Sequence, residues 1–256
     1  MSDGDSGPGD IGLEVTDGLA VVTIDHAEAR NSLTIGMVDR FHEVLDELEA
    51  RRDVGAVVVR GSGEHFCSGL DRGVFGLQAS DPAGSDAYRR AKRVYGTFQR
   101  LGALPAPTFA AVRGAAVGAG LNLAMAVDLR VVAHDARLIA GFPNLGLHPG
   151  GGFFALASRL MGREVAVALG VVGEELTGRR AAELGFAWSA LPSEEVEREC
   201  RQLAGRCAAD PDLARATIGS FRNVAGPPGV SWDAAVDLEH APQMWTFRRL
   251  AETSKE

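Results

Sequence analysis

The chain has little cysteine and no excess of cationic charge. Its 256 residues include three cysteines, Cys67, Cys200 and Cys207, with no Cys-x-x-Cys pair among them. This sparse, odd set favours reduced thiols in the cytoplasm over a disulfide framework. The formal net charge of −8 argues against nucleic-acid binding as the main role, because that role usually needs a basic surface.

The sequence also lacks an apolar run long enough for a membrane. Its most apolar stretch covers residues 114–127 and contains Asn122, whereas a transmembrane helix needs about 20 apolar residues. Residues 1–10 are acidic and rich in Gly and Ser, without the cationic start or apolar centre of a signal peptide. We therefore expect a disordered N-terminal tail, no membrane span and a cytoplasmic protein.

The apolar pattern changes its period along the N-terminal part of the chain. Two short strands are predicted within residues 11–25, joined by a turn at Asp17-Gly18. A helix is predicted from about Thr34, followed by a strand at residues 56–59 that is buried on both sides. The order strand, helix, strand implies a right-handed parallel crossover.

The same unit repeats and then gives way to helices. Predicted strands follow at residues 109–112, 129–133 and 187–191; predicted helices cover residues 86–104, a segment near Leu121, and residues 153–161, 165–172, 179–184, 194–208 and 213–224. Residues 72–86 and 225–231 have the composition of loops. We therefore predict an α/β core at residues 11–190, built of successive β-β-α units, and a helical region at residues 191–256.

Three glycine-rich segments follow predicted strands and could present backbone amides to a ligand. Residues 66–71 (FCSGLD) end a buried strand, residues 114–122 (GAAVGAGLN) lead from a strand into a helix, and residues 142–152 (FPNLGLHPGGG) form a rigid loop before a helix. Small side chains let a ligand approach the backbone, and the amides at a helix start are electropositive. Each segment alone is equally consistent with an ordinary turn or with close packing.

Familiar catalytic and nucleotide-binding fingerprints are not matched. Gly118 and Gly120 begin a dinucleotide-binding pattern, but Leu123 stands at its third glycine. The loop at residues 142–152 lacks the Gly-Lys-Ser/Thr ending of a phosphate loop. Ser68 has no Gly-x-Ser-x-Gly context. A dinucleotide-dependent oxidoreductase and a serine-triad hydrolase are therefore disfavoured.

In this order and spacing, the segments resemble the crotonase (enoyl-CoA hydratase/isomerase) family. The resemblance begins at residues 26–33 (HAEARNSL), which are similar to the family's Pro-Glu-x-Arg-Asn-Ala-Leu segment, and extends to about Gly185. It implies an α/β crotonase spiral with a C-terminal helical region that forms a homotrimer or hexamer. It also implies an acyl-CoA substrate, with coenzyme A as part of that substrate, no tightly bound cofactor and no metal.

The resemblance assigns two backbone amides to an oxyanion hole for the thioester carbonyl. Ser68 matches one donor and Ala119 the other, and loss of one such donor typically costs about 10²–10³ in rate. Arg30 matches a position near the coenzyme's phosphates, where a cation is favoured. The positions matched to coenzyme A binding are Ala29, Arg30, Ser68, Gly69, Leu70, Asp71, Gly118 and Ala119.

The hydratases of this family use two glutamates, and this chain has neither. The first glutamate position falls on Asn122 and the second on Phe142, or on Asn144 if the register shifts by two residues. An amide can hold water but cannot accept a proton in the working pH range, and loss of a positioned acid or base costs about 10²–10⁴. We therefore expect an acyl-CoA enzyme that does not use two-glutamate hydration, or alternatively a catalytically silent acyl-CoA binder or carrier.

Two side chains are candidates to replace the missing glutamates. His148 carries an imidazole, the side chain most often used for proton transfer, although it could equally be a structural histidine bonded to the loop backbone. Asp71 could act as a base or cap the turn that follows it. The basic residues Arg89, Arg90, Lys92 and Arg93 could attract the coenzyme's phosphates or form a solvated helix face.

Overall fold

Two β-sheets form the centre of the protein, whose computed structural model describes residues 9–71, 73–74, 81, 83–225 and 231–253. The larger sheet has the strand order β1-β2-β3-β4-β6-β9, and the smaller one has the order β5-β7-β8. The strands are β1 (Asp10–Thr16), β2 (Leu19–Asp25), β3 (Ala56–Gly61), β4 (Thr108–Val112), β5 (Ala115–Val117), β6 (Leu129–Ala133), β7 (Arg137–Ile139), β8 (Glu175–Thr177) and β9 (Ser189–Leu191).

The larger sheet confirms the predicted hairpin and parallel crossovers. Strands β1 and β2 are antiparallel around the turn at Asp17-Gly18, where both residues have positive φ. The other neighbours in this sheet are parallel, and the register places Val21 beside Val58 and Val58 beside Phe109. The smaller sheet was not predicted as a unit, because its strands of three residues are too short to show an alternating pattern.

Helices surround the sheets and make up the C-terminal region. They are α1 (Ile35–Ala50), α2 (Ser85–Ala103), α3 (Ala119–Ala126), α4 (Phe153–Val167), α5 (Gly178–Glu183), α6 (Ser193–Ala208), α7 (Pro211–Ala225) and α8 (Trp232–Thr253). Short 3-10 turns lie at Ala27–Ala29 and Pro143–Leu145, and a π-helical turn at Ala168–Val172 extends α4. The α/β class expected from the sequence is therefore confirmed.

Local chemistry explains where several of these elements begin. Helix α1 begins after Thr34, whose hydroxyl accepts a hydrogen bond from the Met37 amide at 3.2 Å, as an N-cap should. Helix α3 buries residues 120–125, because its apolar composition leaves no polar face for solvent. A glycine at position 120 is needed because a Cβ there would collide with the carbonyl oxygen of Cys67. The start of α3 is thereby held against residues 66–71.

Several predicted boundaries differ from those observed. Strand β1 begins at Asp10, the last residue of the predicted tail, and residues 1–8 lie outside the described part of the chain. Helix α2 begins at Ser85, inside the predicted loop at residues 72–86, most of which is likewise outside the described residues. Of the predicted loop at 225–231, the description covers only the two end positions.

Helix α8 is the largest element that was not individually predicted. It packs against α2 and α4, and its buried residues include Val236, Glu239, His240, Gln243 and Phe247. Because most of these are polar, apolar periodicity does not reveal the helix. Across the ranges given above, no helix is both long and apolar enough to cross a bilayer.

Candidate functional site

A cavity of about 850 Å³, counting its open mouth, lies where α2, α3 and α8 meet the glycine-rich segments. All three segments predicted to carry chemistry contribute to its lining, through Ser68 to Leu70, Val117 to Ala119 with Asn122, and Phe142 with Gly150. Most of the remaining wall is apolar, and its aromatic residues are Tyr95, Phe98, Phe142 and Phe247. The cavity is therefore suited to a largely apolar ligand with a polar group at the glycine-rich end.

The amide of Ser68 is already used within the protein. It donates a hydrogen bond to the carbonyl oxygen of Arg30 at 3.0 Å, and the Ser68 hydroxyl donates to the Ala29 carbonyl at 3.2 Å. An amide that is bonded to a carbonyl has no hydrogen left for a ligand. The expectation that Ser68 supplies one oxyanion-hole donor is therefore contradicted by the geometry.

The amide of Leu70 takes the place expected for Ser68. Leu33 forms a parallel bridge with Leu70, in which the Leu33 amide donates to Gly69 O at 2.8 Å and the Asp71 amide donates to Leu33 O at 3.0 Å. In such a bridge the amide of the central residue points away from the partner strand. Leu70 lines the cavity on that side, and its amide donates to no residue in the described ranges.

Ala119 supplies a second open amide. It is the first residue of α3, so its N–H has no partner within the helix, and no other described residue accepts from it. Gly69, with φ +99, brings the two segments together: a Cβ there would lie 2.9 Å from Val117 O and 3.8 Å from the Ala119 nitrogen. The amides of Leu70 and Ala119 therefore flank one end of the cavity.

Asn122 and Phe142, at the positions of the family glutamates, both line the cavity. Asn122 is 1% exposed, and its Nδ2 donates to the Gly150 carbonyl at 2.9 Å. Phe142 packs edge-on against Phe153, with 5.8 Å between ring centroids. Asn144, the alternative from the shifted register, is exposed and is not among the described lining residues.

His148 and Asp71 lie outside the described lining of the cavity. His148 Nδ1 is 2.6 Å from the Pro149 carbonyl, and the ring packs edge-on against Phe154. Asp71 Oδ1 accepts from the Gly73 amide at 2.8 Å and so caps the following turn. Neither side chain is placed to move a proton in the cavity, which removes the geometric basis for both as substitutes for the glutamates.

Cys67, beside Ser68, is buried in the core, and the basic residues named from the sequence lie at the surface or along the cavity. Burial raises the pKa of the Cys67 thiol to about 12, so this sulfur stays protonated near neutral pH. Arg30 is exposed at the edge of residues 66–71 and makes no ion pair with a described residue. In the basic cluster, Arg89 pairs with Asp86, Arg93 with Asp39 and Lys92 with Asp237, whereas Arg90 lines the cavity.

Tyr95 is a lining residue that the sequence analysis did not single out. Its hydroxyl forms no hydrogen bond with the described part of the chain, although the residue is buried. Burial raises its pKa well above the usual value, and the negative charge of Glu239 raises it further. The hydroxyl is therefore neutral and able to donate a hydrogen bond. The spacing of Ala91, Val94, Tyr95 and Phe98 could have marked it as part of a buried helix face.

Glu239 of α8 is a second buried polar residue that the sequence pattern does not reveal. It is 7% exposed, and its carboxylate accepts hydrogen bonds from the amides of Gly152, Phe153 and Phe154 at 2.8, 3.0 and 3.2 Å. Burial raises its pKa to about 7, although the three amides act in the opposite direction. Glu239 thereby caps the start of α4 from another helix.

Comparisons with known proteins agree with this architecture. The family model described as enoyl-CoA hydratase/isomerase matches residues 14–225. A probable enoyl-CoA hydratase of Mycobacterium tuberculosis is 35% identical over 234 residues, which cover 90% of each chain. The 1,2-epoxyphenylacetyl-CoA isomerase of Escherichia coli K12 is 30% identical over 241 residues, covering 94% of this chain and 89% of that protein. The crystal structure of an enoyl-CoA hydratase/isomerase from Xanthobacter autotrophicus Py2 superposes with a TM-score of 0.84 at 28% identity, covering 96% of this chain and 92% of that chain.

Proposed function

The chain belongs to the enoyl-CoA hydratase/isomerase family, and we propose that it is an acyl-CoA enzyme that stabilises a thioester enolate with the amides of Leu70 and Ala119. The observation that carries the proposal is the pair of open amides at one end of an apolar cavity. Removal of a proton from the α-carbon of a thioester moves negative charge onto the carbonyl oxygen. Two fixed donors aimed at that oxygen stabilise the charge as it develops.

We propose that proton transfer does not follow the two-glutamate hydration route. Among the described residues that line the cavity, none carries a carboxylate. Asn122 and Phe142 cannot exchange protons with water or substrate near neutral pH. We assign the transfer to solvent: water in the cavity accepts the proton from the α-carbon and returns one to the γ-carbon, while the Tyr95 hydroxyl, which its raised pKa keeps neutral, only donates a hydrogen bond. Double-bond migration moves a proton from one carbon to another, whereas addition of water also needs an acid and a base that position the water. Migration is therefore easier to catalyse in a cavity whose described lining has no carboxylate.

A catalytically silent acyl-CoA binder or carrier is the second candidate. The same lack of a carboxylate among the described lining residues favours it, because open amides can recognise a thioester carbonyl without any later chemistry. Arg30 supports either candidate as an exposed cation available to the coenzyme's phosphates.

Turnover and binding measured with the same thioesters separate the two candidates. The purified protein is incubated with crotonyl-CoA and with a 3-enoyl-CoA, and dissociation constants are measured for both. The enzyme proposal predicts isomerisation of the 3-enoyl thioester, with hydration of crotonyl-CoA slow or undetectable. Binding without turnover of either thioester would leave the silent binder, and failure to bind any thioester would contradict both candidates.

We also propose a homotrimer or hexamer in the cytoplasm, without a tightly bound cofactor. The family resemblance supports the assembly, and an exposed apolar group at Val167, Val171 and Val172 offers a surface for it. The three cysteines are unpaired, as expected in a reducing compartment. Coenzyme A would enter and leave with the substrate.

A further inference from the structure

Asn122 has one buried polar atom that the protein does not use. Its Nδ2 donates to the Gly150 carbonyl at 2.9 Å, but its Oδ1 is buried and has no hydrogen-bond partner in the described structure. The orientation of the amide is fixed, because a carbonyl oxygen such as that of Gly150 can only accept and must face the nitrogen. The unpaired atom is therefore an acceptor.

An unpaired buried acceptor is unfavourable unless something else satisfies it. Buried polar side-chain atoms are nearly always hydrogen-bonded, and an exception calls for an explanation. The loop at Gly150 needs only the Nδ2 of Asn122, so Oδ1 has no structural role of its own. A ligand group that supplies a donor to Oδ1 would satisfy this buried acceptor.

The position of Asn122 on α3 relates this acceptor to the proposed oxyanion hole. Asn122 lies three residues after Ala119, so the two residues share one face of the helix. Side chains on a helix lean toward its N-terminus, which directs the Asn122 side chain toward the Ala119 amide. With the thioester oxygen on that amide, Asn122 faces the first carbons of the acyl chain.

Aromatic rings line the cavity together with Asn122. Phe142 stands at the second glutamate position and packs on Phe153. The ring of Phe98 and the Nδ2 of Asn122 both lie close to Gly151, so an aromatic wall adjoins the amide. Among the described lining residues, Asn122 alone has a buried side-chain acceptor atom without a hydrogen-bond partner.

We infer that Asn122 is a specificity-determining residue that selects acyl-CoA thioesters with a hydroxyl on the β-carbon over unsubstituted ones. This inference rests on the proposed function, because the thioester oxygen must sit between the Leu70 and Ala119 amides to place the β-carbon near Oδ1. A hydroxyl is a neutral donor and suits the neutral acceptor that Asn122 offers beside aromatic rings. Since Oδ1 is held at one fixed position in a chiral cavity, the two enantiomers should bind unequally.

Calorimetric titration of matched ligands tests the inference. The wild-type protein is titrated with butyryl-CoA, with each enantiomer of 3-hydroxybutyryl-CoA and with coenzyme A, and the ligands are recovered afterwards to establish that they are unchanged. We expect one enantiomer to bind about tenfold more tightly than butyryl-CoA, the size of one well-placed hydrogen bond. In Asn122→Leu, this preference should disappear while butyryl-CoA affinity stays the same or improves.

A matched control variant is Gln243→Leu. Gln243 also lines the cavity, and its Nε2 donates to the same loop at His148 O, at 3.3 Å. Its replacement removes a loop hydrogen bond and a cavity amide without touching Oδ1 of Asn122. The hydroxyl preference should survive, and its loss in Gln243→Leu as well would overturn the assignment to Asn122.

The remaining outcomes distinguish failure of the inference from failure of the proposed function. Equal affinity of the wild type for butyryl-CoA and both hydroxylated thioesters would overturn the inference but leave acyl-CoA binding intact. Failure of every thioester to bind more tightly than coenzyme A itself would instead count against the proposed function. Thermal melting of each variant establishes that any change in affinity belongs to a folded protein.

Discussion

Leu70 and Ala119 contribute to the site through backbone amides, so ordinary side-chain substitutions leave the proposed donors in place. Proline is the exception, because it lacks the N–H. Ala119 is the first residue of α3, a position where proline is well tolerated in helices. The Ala119 amide can therefore be removed by a proline substitution without interrupting helix α3.

Ala119→Pro should therefore lower the turnover number by about 10²–10³, the usual cost of one oxyanion-hole donor. Ala119→Gly keeps the amide and should retain activity within a few-fold. Steady-state kinetics of the two variants with the best thioester substrate provides the comparison. If both lose activity equally while melting at wild-type temperature, the amide is not the group that matters.

His148→Ala should leave kcat/KM within about twofold of wild type, since the ring bonds to the Pro149 carbonyl and packs on Phe154 rather than lining the cavity. A modest loss of thermal stability is expected, because a packing contact and a hydrogen bond are removed. The kinetics and the melting temperature are measured on the same preparation. A fall in kcat/KM of tenfold or more at unchanged stability would restore His148 as a catalytic candidate.

At the residue scale, the segments predicted from the sequence do line the cavity, but one of the two predicted amide donors is wrong. Residues 66–71 do line the cavity, yet the open amide belongs to Leu70 and not to Ser68. Amides along an extended segment point to alternate sides, so the donor depends on the register with Leu33 and Arg30. That register is a tertiary feature without a signal in the segment itself.

At the scale of elements, helix α8 closes the cavity and also holds the start of α4. Gln243 and Phe247 reach the cavity, and Glu239, on the same helix, binds the amides of Gly152 and Phe153. The sequence did not reveal this helix because polar residues occupy much of its buried face. By contrast, α1 was predictable from its apolar spacing and its Thr34 cap.

Glu239→Gln tests the link between α8 and α4 through its pH dependence. Burial raises the folded-state pKa of Glu239 from its ordinary value near 4.5 to about 7, so the folded protein binds this proton more tightly than the unfolded chain. Its contribution to stability is fully present below about pH 4.5 and is lost as the pH rises through about 7. The difference in unfolding free energy between wild type and Glu239→Gln should fall across that interval.

Chemical denaturation at several pH values measures this difference. Burial lowers the pKa values of His42 and His240, and their effect on stability has the opposite sign, but it is common to both proteins and cancels. Glutamine mimics the protonated carboxyl and keeps an acceptor oxygen for the α4 amides, so the two proteins should have similar stability near pH 4.5, and the wild type should be the less stable one above pH 7. A difference that does not vary with pH would show that Glu239 has an ordinary pKa.

At the scale of the whole molecule, the parallel sheet was predictable and the second sheet was not. Strands β3 and β4 contain the continuous apolar runs 56–59 and 109–112, and β6 contains 131–133, as is typical of strands covered on both faces. Strands β5, β7 and β8 contain three residues each, and their pairing depends on contacts distant in sequence. The cavity is lined by residues from segments that are distant in sequence. No single segment therefore predicts it.

The exposed valines at 167, 171 and 172 bear on how copies of the protein assemble. Sedimentation equilibrium should give three or six times the chain mass of 26.9 kDa, because an apolar group at the end of α4 is better buried between copies. Val171→Glu should shift the protein toward monomers by placing a charge there. A wild-type protein that sediments as a monomer at all concentrations tested would contradict the proposed assembly.

Vibrational spectroscopy of a bound thioester tests most directly whether the amides of Leu70 and Ala119 hold its carbonyl. Difference infrared spectra of butyryl-CoA labelled with carbon-13 at the thioester carbonyl isolate the stretch of that single bond. Two strong donors polarise the carbonyl, so its frequency should fall below the value in water on binding to the wild type. The fall should be smaller in Ala119→Pro. A bound carbonyl that absorbs at or above the aqueous frequency in the wild type would contradict the account.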